Sequence, residues 1–327
     1  MKIRTTVYIL LILLILVTTS LIPSGNITPE AKMSYINTNT DEEGFSFKLL
    51  SNAYAEGSFG SSVAIPIPLE DKKGRPAKSE NFTENSYEDS TIKVTISDGR
   101  YLDANYHIAY IEISDPSQLR TALASKPGSS RTVRMSDLAP KLNAVVAMNG
   151  DFFTQFKDGF IMRQGDVLRK QTSKNHDLLL IDSNGDFHML KRGGAEQIDE
   201  INSIIKQYEI INTFSFGPIL VQNGNVQVIP EKYPHASKYR NPRAAIAQID
   251  KLHYAILVVD GRTDESEGLT IEELADLCGE LNLNNAFNLD GGNSAVLYFN
   301  DGLYTQKSKE NERYISDVIY FTTAEMN

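Results

Sequence analysis

The sequence contains very little cysteine and no tryptophan. Cys278 is the single cysteine among 327 residues, which excludes an intramolecular disulfide, a zinc–cysteine cluster and a CxxC redox pair. It falls within a predicted helix, where a core position is the simplest interpretation. The 15 tyrosines and 14 phenylalanines still supply enough aromatic surface for a core and for stacking against sugars.

Positive charge is also scarce. The chain has 32 basic and 42 acidic side chains, a formal net charge of −10. A protein that wraps nucleic acid needs a basic face to neutralise phosphates, so we expect no nucleic-acid partner. Hydrophobic residues make up 41% and charged residues 23%, which is ordinary for a globular protein and excludes wholesale disorder.

Only one long apolar run is present, at the amino terminus. Lys2 and Arg4 precede an unbroken apolar stretch over residues 7–17, a pattern typical of a secretory signal. The run is shorter than a comfortable membrane helix, although Leu21 and Ile22 extend it. Residues 1–25 are therefore predicted to be a signal peptide or a membrane anchor. Either reading makes the protein secreted or extracytoplasmic, and the second adds a membrane tether.

Residues 26–90 are predicted to be a flexible linker, because they are polar, charged and interrupted by prolines. From residue 91 the pattern changes to short strands separated by turns, and residues 91–327 are predicted to form a single catalytic domain. A turn is expected at Asp98-Gly99, and helices are expected after Asp115-Pro116, over 195–207 and over 270–281. The predicted fold class is α+β, with mixed, largely antiparallel sheets and a few short helices.

Four apolar strands run directly into small or polar residues, which places side chains and bare backbone amides where a ligand can approach. They cover residues 144–153, 212–220, 253–262 and 286–294. Each alone is explained as a turn, since Asp-Gly and Asn-Gly are favoured turn pairs. Four together indicate a shared site.

In this order the motifs resemble the phosphodiester glycosidase family, which includes the type of enzyme that removes N-acetylglucosamine from a sugar phosphodiester. The resemblance spans about residues 91–321 and also includes the helix segment 268–275 and Arg313. It is carried by these motifs: Asn149-Gly150-Asp151-Phe152-Phe153, Phe216-Gly217-Pro218, Asn241-Pro242-Arg243-Ala244-Ala245, Asp260-Gly261-Arg262 and Asn288-Leu289-Asp290-Gly291-Gly292. The chain departs from the family at Asn293-Ser294-Ala295 and at Asp151, where glycine is common.

The resemblance implies a substrate with one negative charge on its phosphodiester. On a protein of charge −10 such an anion needs local cations, and a guanidinium matches two phosphate oxygens. Arg243 and Arg262 are therefore phosphate-binding candidates, with Arg313 as a third. For Arg243 and Arg262 a structural salt bridge to Asp260 or Asp290 is an open alternative.

Cleavage at an anomeric carbon passes through an oxocarbenium-like transition state that carboxyl groups handle. Asp290 is the first candidate for the catalytic carboxylate, as a base or a nucleophile, and Asp260 is the second, as its partner or as the group that positions Arg262. Asn149 and Asp151 are predicted to bind sugar hydroxyls. Backbone amides and a hydroxyl for the same ligand are expected from three more residues: Gly291, Gly292 and Ser294.

The motifs require no cofactor, but calcium or magnesium would find oxygen ligands if Asp290, Asp260 and Asn149 came together. The five histidines lack metal-ligand spacing; His253 is expected to pack in a strand, and His176 is a candidate for a loop-side pocket. The preferred hypothesis is an exported hydrolase that cleaves sugar-1-phosphodiesters in envelope polysaccharide or glycan. The alternative is a non-catalytic exopolysaccharide-binding or scaffold module of the envelope.

Overall fold

The computed structural model describes residues 64–235, 237–305 and 312–326. These residues form eighteen short strands, and three α-helices lie between successive groups of strands. The first nine strands are β1 (Ser86–Glu88), β2 (Ile92–Tyr101), β3 (Ala104–Ile113), β4 (Leu119–Leu123), β5 (Val146–Asn149), β6 (Phe160–Arg163), β7 (Asp166–Lys170), β8 (Asp177–Asp182) and β9 (Phe187–Leu190). The other nine are β10 (Ile210–Phe216), β11 (Ile219–Gln222), β12 (Asn225–Val226), β13 (Arg243–Asp250), β14 (His253–Val259), β15 (Asn285–Leu289), β16 (Leu297–Phe299), β17 (Gly302–Leu303) and β18 (Asp317–Phe321). The helices are α1 (Met135–Leu138), α2 (Gln197–Tyr208) and α3 (Ile271–Glu280). The predicted signal or anchor, 1–25, lies outside the described residues.

The strands form three sheets, and all the pairings between them are antiparallel in the part of the chain described. One sheet has eight strands in the order β1-β2-β3-β14-β13-β15-β11-β12. The two others have five strands each, ordered β7-β6-β10-β8-β9 and β17-β16-β5-β18-β4. The predicted α+β class with antiparallel sheets and a few short helices is confirmed.

Alternation along β13 and β14 divides the core between the two faces of the large sheet. Ala244, Ile246 and Val258 join a cluster that also contains residues of both smaller sheets, whereas Ala245 and Leu257 face α3 and its buried side chains. Period-2 patterning of this kind is what a sheet covered on both faces requires. The large sheet is thus the layer that the rest of the fold covers.

Helix α3 begins where the sequence predicts. The Thr270 side chain accepts a hydrogen bond from the Glu273 amide, and the Glu273 carboxylate accepts one from the Thr270 amide, which completes a capping box. Cys278 lies on the buried face of this helix, as expected for a core residue. No helix within the described ranges is both long enough and apolar enough to span a lipid bilayer.

Two local predictions are wrong. Asp98 and Gly99 lie inside β2, opposite His107 and Tyr106 of β3, and the hairpin turns at Leu102 instead, where φ is +49°. The predicted helix after Pro116 is a single 3₁₀ turn, Pro116–Gln118, followed by strand β4. The cap at Asp115 was identified correctly, but pairing with β18 outweighs the local preference for helix.

The predicted linker is wrong for residues 64–90, while residues 26–63 lie outside the described part. Strand β1 pairs with β2, and Tyr87 is fully buried. The buried Arg120 guanidinium on β4 donates to the carbonyls of Ile67, Pro68 and Asp71, at 3.4, 3.2 and 2.6 Å. These bonds hold the proline-rich segment in place, and Ile67 is buried beside them.

At one end of the large sheet, five neighbouring strands either start or finish. The pairing of Arg243 with Val259, and of Ala244 with Leu289, brings the start of β13 beside the ends of β14 and β15. β3 and β11 start at the same end, because they run antiparallel to β14 and β15. The polar motifs that follow β14 and β15 and those that precede β11 and β13 therefore lie along one rim.

Candidate active site

The Asp290 loop, residues 290–296 between β15 and β16, forms the centre of the rim. Asn149, at the end of β5, fixes it at both ends. Its Nδ2 donates to the Asp290 carbonyl at 2.7 Å and to the Gly150 carbonyl at 3.2 Å, and its Oδ1 accepts from the Val296 amide at 3.2 Å. Asn149 is buried and its amide is fully engaged. It positions the loop rather than offering an amide to sugar hydroxyls.

Gly291 and Gly292 are glycines because their neighbours approach the backbone too closely for a side chain. A Cβ on Gly291 would lie 2.7 Å from the Pro242 carbonyl oxygen, and Gly292 has φ +60° with the Arg262 guanidinium over it. The Gly292 amide donates to the Pro242 carbonyl at 2.8 Å. These contacts join the Asp290 loop to the start of β13.

The Asp290 side chain, half-buried at the loop's start, has unused hydrogen-bonding capacity. Neither its Oδ2 nor the Ser294 Oγ, both buried, makes a hydrogen bond of normal geometry within the described residues, although the Ser294 hydroxyl lies close enough to the carboxyl to lower its pKa. Burial raises the pKa of the Asp290 carboxyl, and the influence of Ser294, Arg313 and the Gly291 amide opposes the rise without cancelling it. Buried polar atoms are nearly always bonded, so two unbonded oxygens in one loop mark a place for a ligand.

Arg313 approaches Asp290 from one side. Its guanidinium lies 4.9 Å from the centre of the Phe152 ring, and Phe152 has a left-handed backbone with φ +56°. Arg313 is exposed, and its charge is one of the influences that lower the Asp290 pKa. Arg313, the third phosphate-binding candidate from the sequence, therefore lies where its charge acts on the Asp290 carboxyl, and its contact with a phosphate stays a prediction.

Arg262 lies on another side of the loop. Its Nη2 and Nε donate to Asn241 Oδ1 at 2.7 and 3.1 Å, and its Nη1 donates to Asn293 Oδ1 at 3.2 Å. The side chain is exposed and forms no ion pair with an acidic group in the described ranges. Two neutral amides hold this cation in place and leave its charge available to an anion.

Asp151 lies below the site instead of in it. It is fully buried, with Oδ1 accepting from Arg163 Nη2 at 2.8 Å and Oδ2 accepting from the Ser215 amide at 2.8 Å. Arg163 also donates to Asp317 Oδ2, at 2.6 Å from Nη2 and 3.0 Å from Nε. The predicted contact of Asp151 with sugar hydroxyls is wrong, because this buried Asp–Arg–Asp group uses its carboxylate to support the loop after β5.

Arg243 is buried as well, and the predicted salt bridge to Asp260 or Asp290 does not form. Its guanidinium donates to the carbonyls of Leu269 and Tyr239 at 2.8 and 2.7 Å, and to that of His235 at 3.4 Å. Burial, together with the charge of Arg262, lowers its pKa to about 10. Arg243 therefore supports the segment before β13 and adds positive potential beneath Arg262.

Strand β13 lies between β14, which Asp260 follows, and β15, which Asp290 follows. Because neighbouring strands lie about 4.8 Å apart, the backbones of Asp260 and Asp290 are about 10 Å apart. The Asp260 Oδ2 is 2.9 Å from His107 Nε2 on β3, on the side away from Asp290. The structure thus does not pair the two carboxylates. Nor does it assemble the oxygen cluster of Asp290, Asp260 and Asn149 proposed for calcium or magnesium.

His176 is buried in an aromatic stack and does not reach an open pocket. Its ring stacks on His235 at 5.0 Å and lies 6.2 Å from the Phe216 ring. Ser173 Oγ donates to Asp158 Oδ2 at 2.7 Å and so accepts from His176 Nδ1 at 3.2 Å. Burial lowers the pKa of the His176 imidazole as well, so both rings are neutral near pH 7 and His176 Nε2 accepts from His235 Nε2 at 2.9 Å. Burial, His176 and Arg243 lower the pKa of His235 to about 4.

Several residues that shape the site were not identified from the sequence. Asn241 and Asn293 fix Arg262, and Asp317 and Arg163 support the loop after β5. Asn241 and Asn293 stand inside or beside recognised motifs, and an amide next to a motif arginine is a signal that could have indicated their role. Arg163 and Asp317 are 154 residues apart and carry no such signal.

A sequence profile of the phosphodiester glycosidase family matches residues 142–322. The match covers β5 to β18 and includes Asn149, Arg262, the Asp290 loop and Arg313. It begins after the β2–β3 hairpin, which therefore lies outside the matched region. A search of curated proteins finds no match.

Solved structures provide a comparison of the fold. The chain is similar to the catalytic domain of zebrafish N-acetylglucosamine-1-phosphodiester alpha-N-acetylglucosaminidase, a form auto-inhibited by its pro-peptide, with TM-score 0.57 and 20% identity over 76% of this chain and 87% of that one. A Synechocystis protein matches with TM-score 0.49 and 16% identity, over 70% of this chain and 62% of that one. At these identities the likeness to the zebrafish domain indicates a shared fold.

Proposed function

Because the chain belongs to the phosphodiester glycosidase family, we propose that it is an exported hydrolase that cleaves the glycosidic bond of a sugar-1-phosphodiester in envelope polysaccharide or glycan. The sugar is of the N-acetylglucosamine type. The observation that carries the proposal is the pair of buried, unpartnered oxygens, Asp290 Oδ2 and Ser294 Oγ, in a loop flanked by Arg262 and Arg313.

The two exposed arginines supply what a phosphodiester needs. The substrate's phosphate carries one negative charge, and the protein as a whole carries −10, so binding depends on local positive potential. Arg262 is held by neutral amides and Arg313 lies over an aromatic ring, and among the described residues neither forms an ion pair with a carboxylate. A guanidinium can also bind two phosphate oxygens at once.

Asp290 is the carboxylate that acts at the anomeric carbon. Breaking the C–O bond builds positive charge on the sugar, which a nearby carboxylate stabilises, either as a nucleophile or as a base that activates water. The raised pKa of Asp290 makes it a stronger base than an ordinary aspartate. The phosphate monoester is a good leaving group, so the arginines suffice to stabilise its departure and no second carboxyl is needed.

Export is supported by the amino terminus alone. Lys2 and Arg4 followed by the apolar run 7–17 are typical of a secretory signal, and the same run provides the membrane tether if it is retained. A secreted or envelope-bound protein would meet sugar phosphodiesters in surface polymers. A carbohydrate or sugar phosphate is therefore the proposed partner, and nucleic acid is not.

The test is release of free sugar by the purified full chain from a panel of sugar-1-phosphodiesters, beginning with the methyl phosphodiester of N-acetylglucosamine 1-phosphate. In oxygen-18 water, label in the released sugar supports the glycosidase, whereas label in the phosphate assigns cleavage to phosphorus. Saturable binding of exopolysaccharide with no turnover of any diester would replace the proposal with the binding or scaffold module.

A further inference from the structure

His107 on β3 lies between two carboxylates. Its Nδ1 is 2.7 Å from Asp98 Oδ1 on β2, and its Nε2 is 2.9 Å from Asp260 Oδ2, the first residue after β14. Neither carboxylate is paired with an arginine or a lysine elsewhere in the described ranges. The hairpin that carries His107 lies outside the matched family region, so the motifs give it no role.

This geometry determines the charge of the imidazole. An ionised carboxylate only accepts hydrogen bonds, so both ring nitrogens must carry a proton to bond both partners. His107 is therefore an imidazolium in this arrangement. Burial lowers its pKa, but the bonds and charges of Asp260 and Asp98 outweigh burial and raise the pKa above its usual 6.5.

The loop that Asp260 begins carries Arg262 and is fastened to the same hairpin. The Asp260 amide donates to the Asn105 carbonyl at 2.9 Å, and the Glu267 amide donates to the Asp103 carbonyl at 2.9 Å. Arg100 Nη1 donates to the Glu265 carbonyl at 3.0 Å. The β2–β3 hairpin thus holds residues 260–267 in place. Of the contacts between them, the His107–Asp260 hydrogen bond is the one that depends on the protonation state of a side chain.

We propose that His107 is a positioning residue for phosphodiester binding: as an imidazolium it bridges Asp98 and Asp260 and thereby fixes the loop that presents Arg262 to the substrate phosphate. The role rests on the proposed function only for the identity of the bound diester. When His107 loses a proton, its ring keeps one N–H, and either Asp98 or Asp260 loses its donor. The loop then loses a charge-assisted bond, and the diester is bound less tightly.

Water can reach the His107 ring and the two carboxylates that it bridges. A cavity of about 570 Å³ is lined by His107, Asp98, Asp260, Arg100 and Glu265, among others. Among the described residues, Tyr304 also faces His107: its ring is 5.7 Å away and its hydroxyl donates to Asp98 Oδ2 at 3.3 Å. Arg100, the nearby cation of the hairpin, is bonded to Asn105 Oδ1 and the Glu265 carbonyl.

The test compares variants that change His107 or its outer partner. Asp98 is exposed, and Asp98→Asn offers the ring an amide that can donate as well as accept. A neutral His107 can then accept from this introduced amide while its Nε2–H stays on Asp260, so the bridge survives deprotonation. His107→Gln leaves a neutral side chain at every pH and removes the switch.

Affinity for the methyl phosphodiester of N-acetylglucosamine 1-phosphate is measured by calorimetry across pH, in an Asp290→Asn background that prevents turnover and removes the Asp290 titration. The parent should lose affinity about tenfold as His107 deprotonates, the worth of one charge-assisted bond. With Asp98→Asn the affinity should stay high, and with His107→Gln it should be low and flat. NMR of the His107 ring should place its titration above 6.5 in the parent and lower in Asp98→Asn.

The outcomes separate this role from the function of the site. Identical pH profiles in the parent and Asp98→Asn would overturn the positioning role alone, whereas no binding of the diester at any pH would overturn the proposed function and the positioning role with it. A binding step that follows His107, combined with no sugar release by the native protein, would leave the positioning role in place and overturn the hydrolase. Unequal unfolding midpoints with unchanged affinities would reduce His107 to a structural residue.

Discussion

Asn149 Nδ2 donates a 2.7 Å hydrogen bond to the backbone carbonyl of Asp290, 141 residues further along the chain. The same amide group accepts from Val296, so one buried side chain holds both ends of the loop that carries the candidate catalytic carboxylate. The loop's shape therefore depends on β5, in a different sheet from the strand that precedes Asp290. The two segments with the clearest polar motifs meet through this side chain.

Asn149→Ala should lower both stability and activity. It leaves the Asp290 carbonyl and the Val296 amide without their partner, at a cost of about 2–3 kcal/mol in the free energy of unfolding. Asn149→Asp should be at least as damaging, because a carboxylate would face two carbonyl oxygens. Asn225→Ala, at an exposed amide whose Nδ2 donates to the nearby Asn223 carbonyl at 2.9 Å, is the matched control. Denaturant unfolding and sugar release measure the two effects, and an unchanged Asn149→Ala protein would contradict this role.

Asp290→Asn and Ser294→Ala should separate chemistry from stability. Asp290→Asn should lower kcat at least a hundredfold, the usual scale for a lost acid–base group, with the unfolding midpoint kept or raised because a buried carboxylate is removed. Ser294→Ala should leave stability unchanged or higher, since the Ser294 Oγ has no partner in the described protein, while KM rises.

These two variants can exclude the proposed roles of Ser294 and Asp290. A loss of stability in Ser294→Ala would mean that the hydroxyl serves the fold and not a ligand. Full activity in Asp290→Asn would remove Asp290 from the mechanism. Both proteins can be compared with the parent by circular dichroism before kinetics, which confirms that the fold is present.

The sequence was sufficient to identify the rim of the site because its signals are local. An apolar strand followed by Asp-Gly-Gly predicts a tight approach of backbone, and Gly291 makes that approach to Pro242. Sequence reasoning ranked Asp290 before Asp260, but it could not predict that an Asp260 oxygen is bonded to His107 or that Asp290 Oδ2 makes no such bond. Both are aspartates after apolar strands, and the difference lies in which strand is next to each.

Burial of charge was the other point that local signals could not settle. Asp151 looks like a sugar-binding carboxylate until Arg163, from the next strand, and Asp317, near the end of the chain, are seen to surround it. Residues 64–90 likewise have a linker's composition, and the buried Arg120 that holds them lies some 50 residues away on β4. In each case a long-range contact with an arginine decides the outcome.

The Asp317 carboxyl should make stability depend on pH. Burial raises its pKa, Arg163 opposes the rise and Asp151 adds to it, and the result is about 7 compared with 3.8 for an ordinary aspartate. The folded protein thus binds this proton more tightly than the unfolded chain. The resulting stabilisation is fully present below pH 4 and is lost as pH rises from about 4 to about 7.

Asp317→Asn mimics the protonated form and tests this assignment. Its amide can keep an oxygen on Arg163 and, like the protonated carboxyl, carries no charge at any pH. Denaturant unfolding between pH 4 and 8 should give a flatter profile than the parent. Asp276→Asn, which replaces an exposed aspartate on α3, is the control and should keep the parent's slope; equal slopes in all three proteins would refute the assignment.

Arg262→Ala and Arg313→Ala should weaken substrate binding through loss of charge. Each removes an exposed cation beside the Asp290 loop, so KM for the methyl phosphodiester should rise about tenfold, the scale of one bond to a charged group. Lys206→Ala removes an equal charge from the exposed face of α2 and should leave KM unchanged. The parent's KM should rise with salt, because added ions screen the attraction, and the two arginine variants should respond less. If Lys206→Ala raised KM as much as Arg262→Ala, the effect would come from net charge, and the two arginines would have no special place at the phosphate.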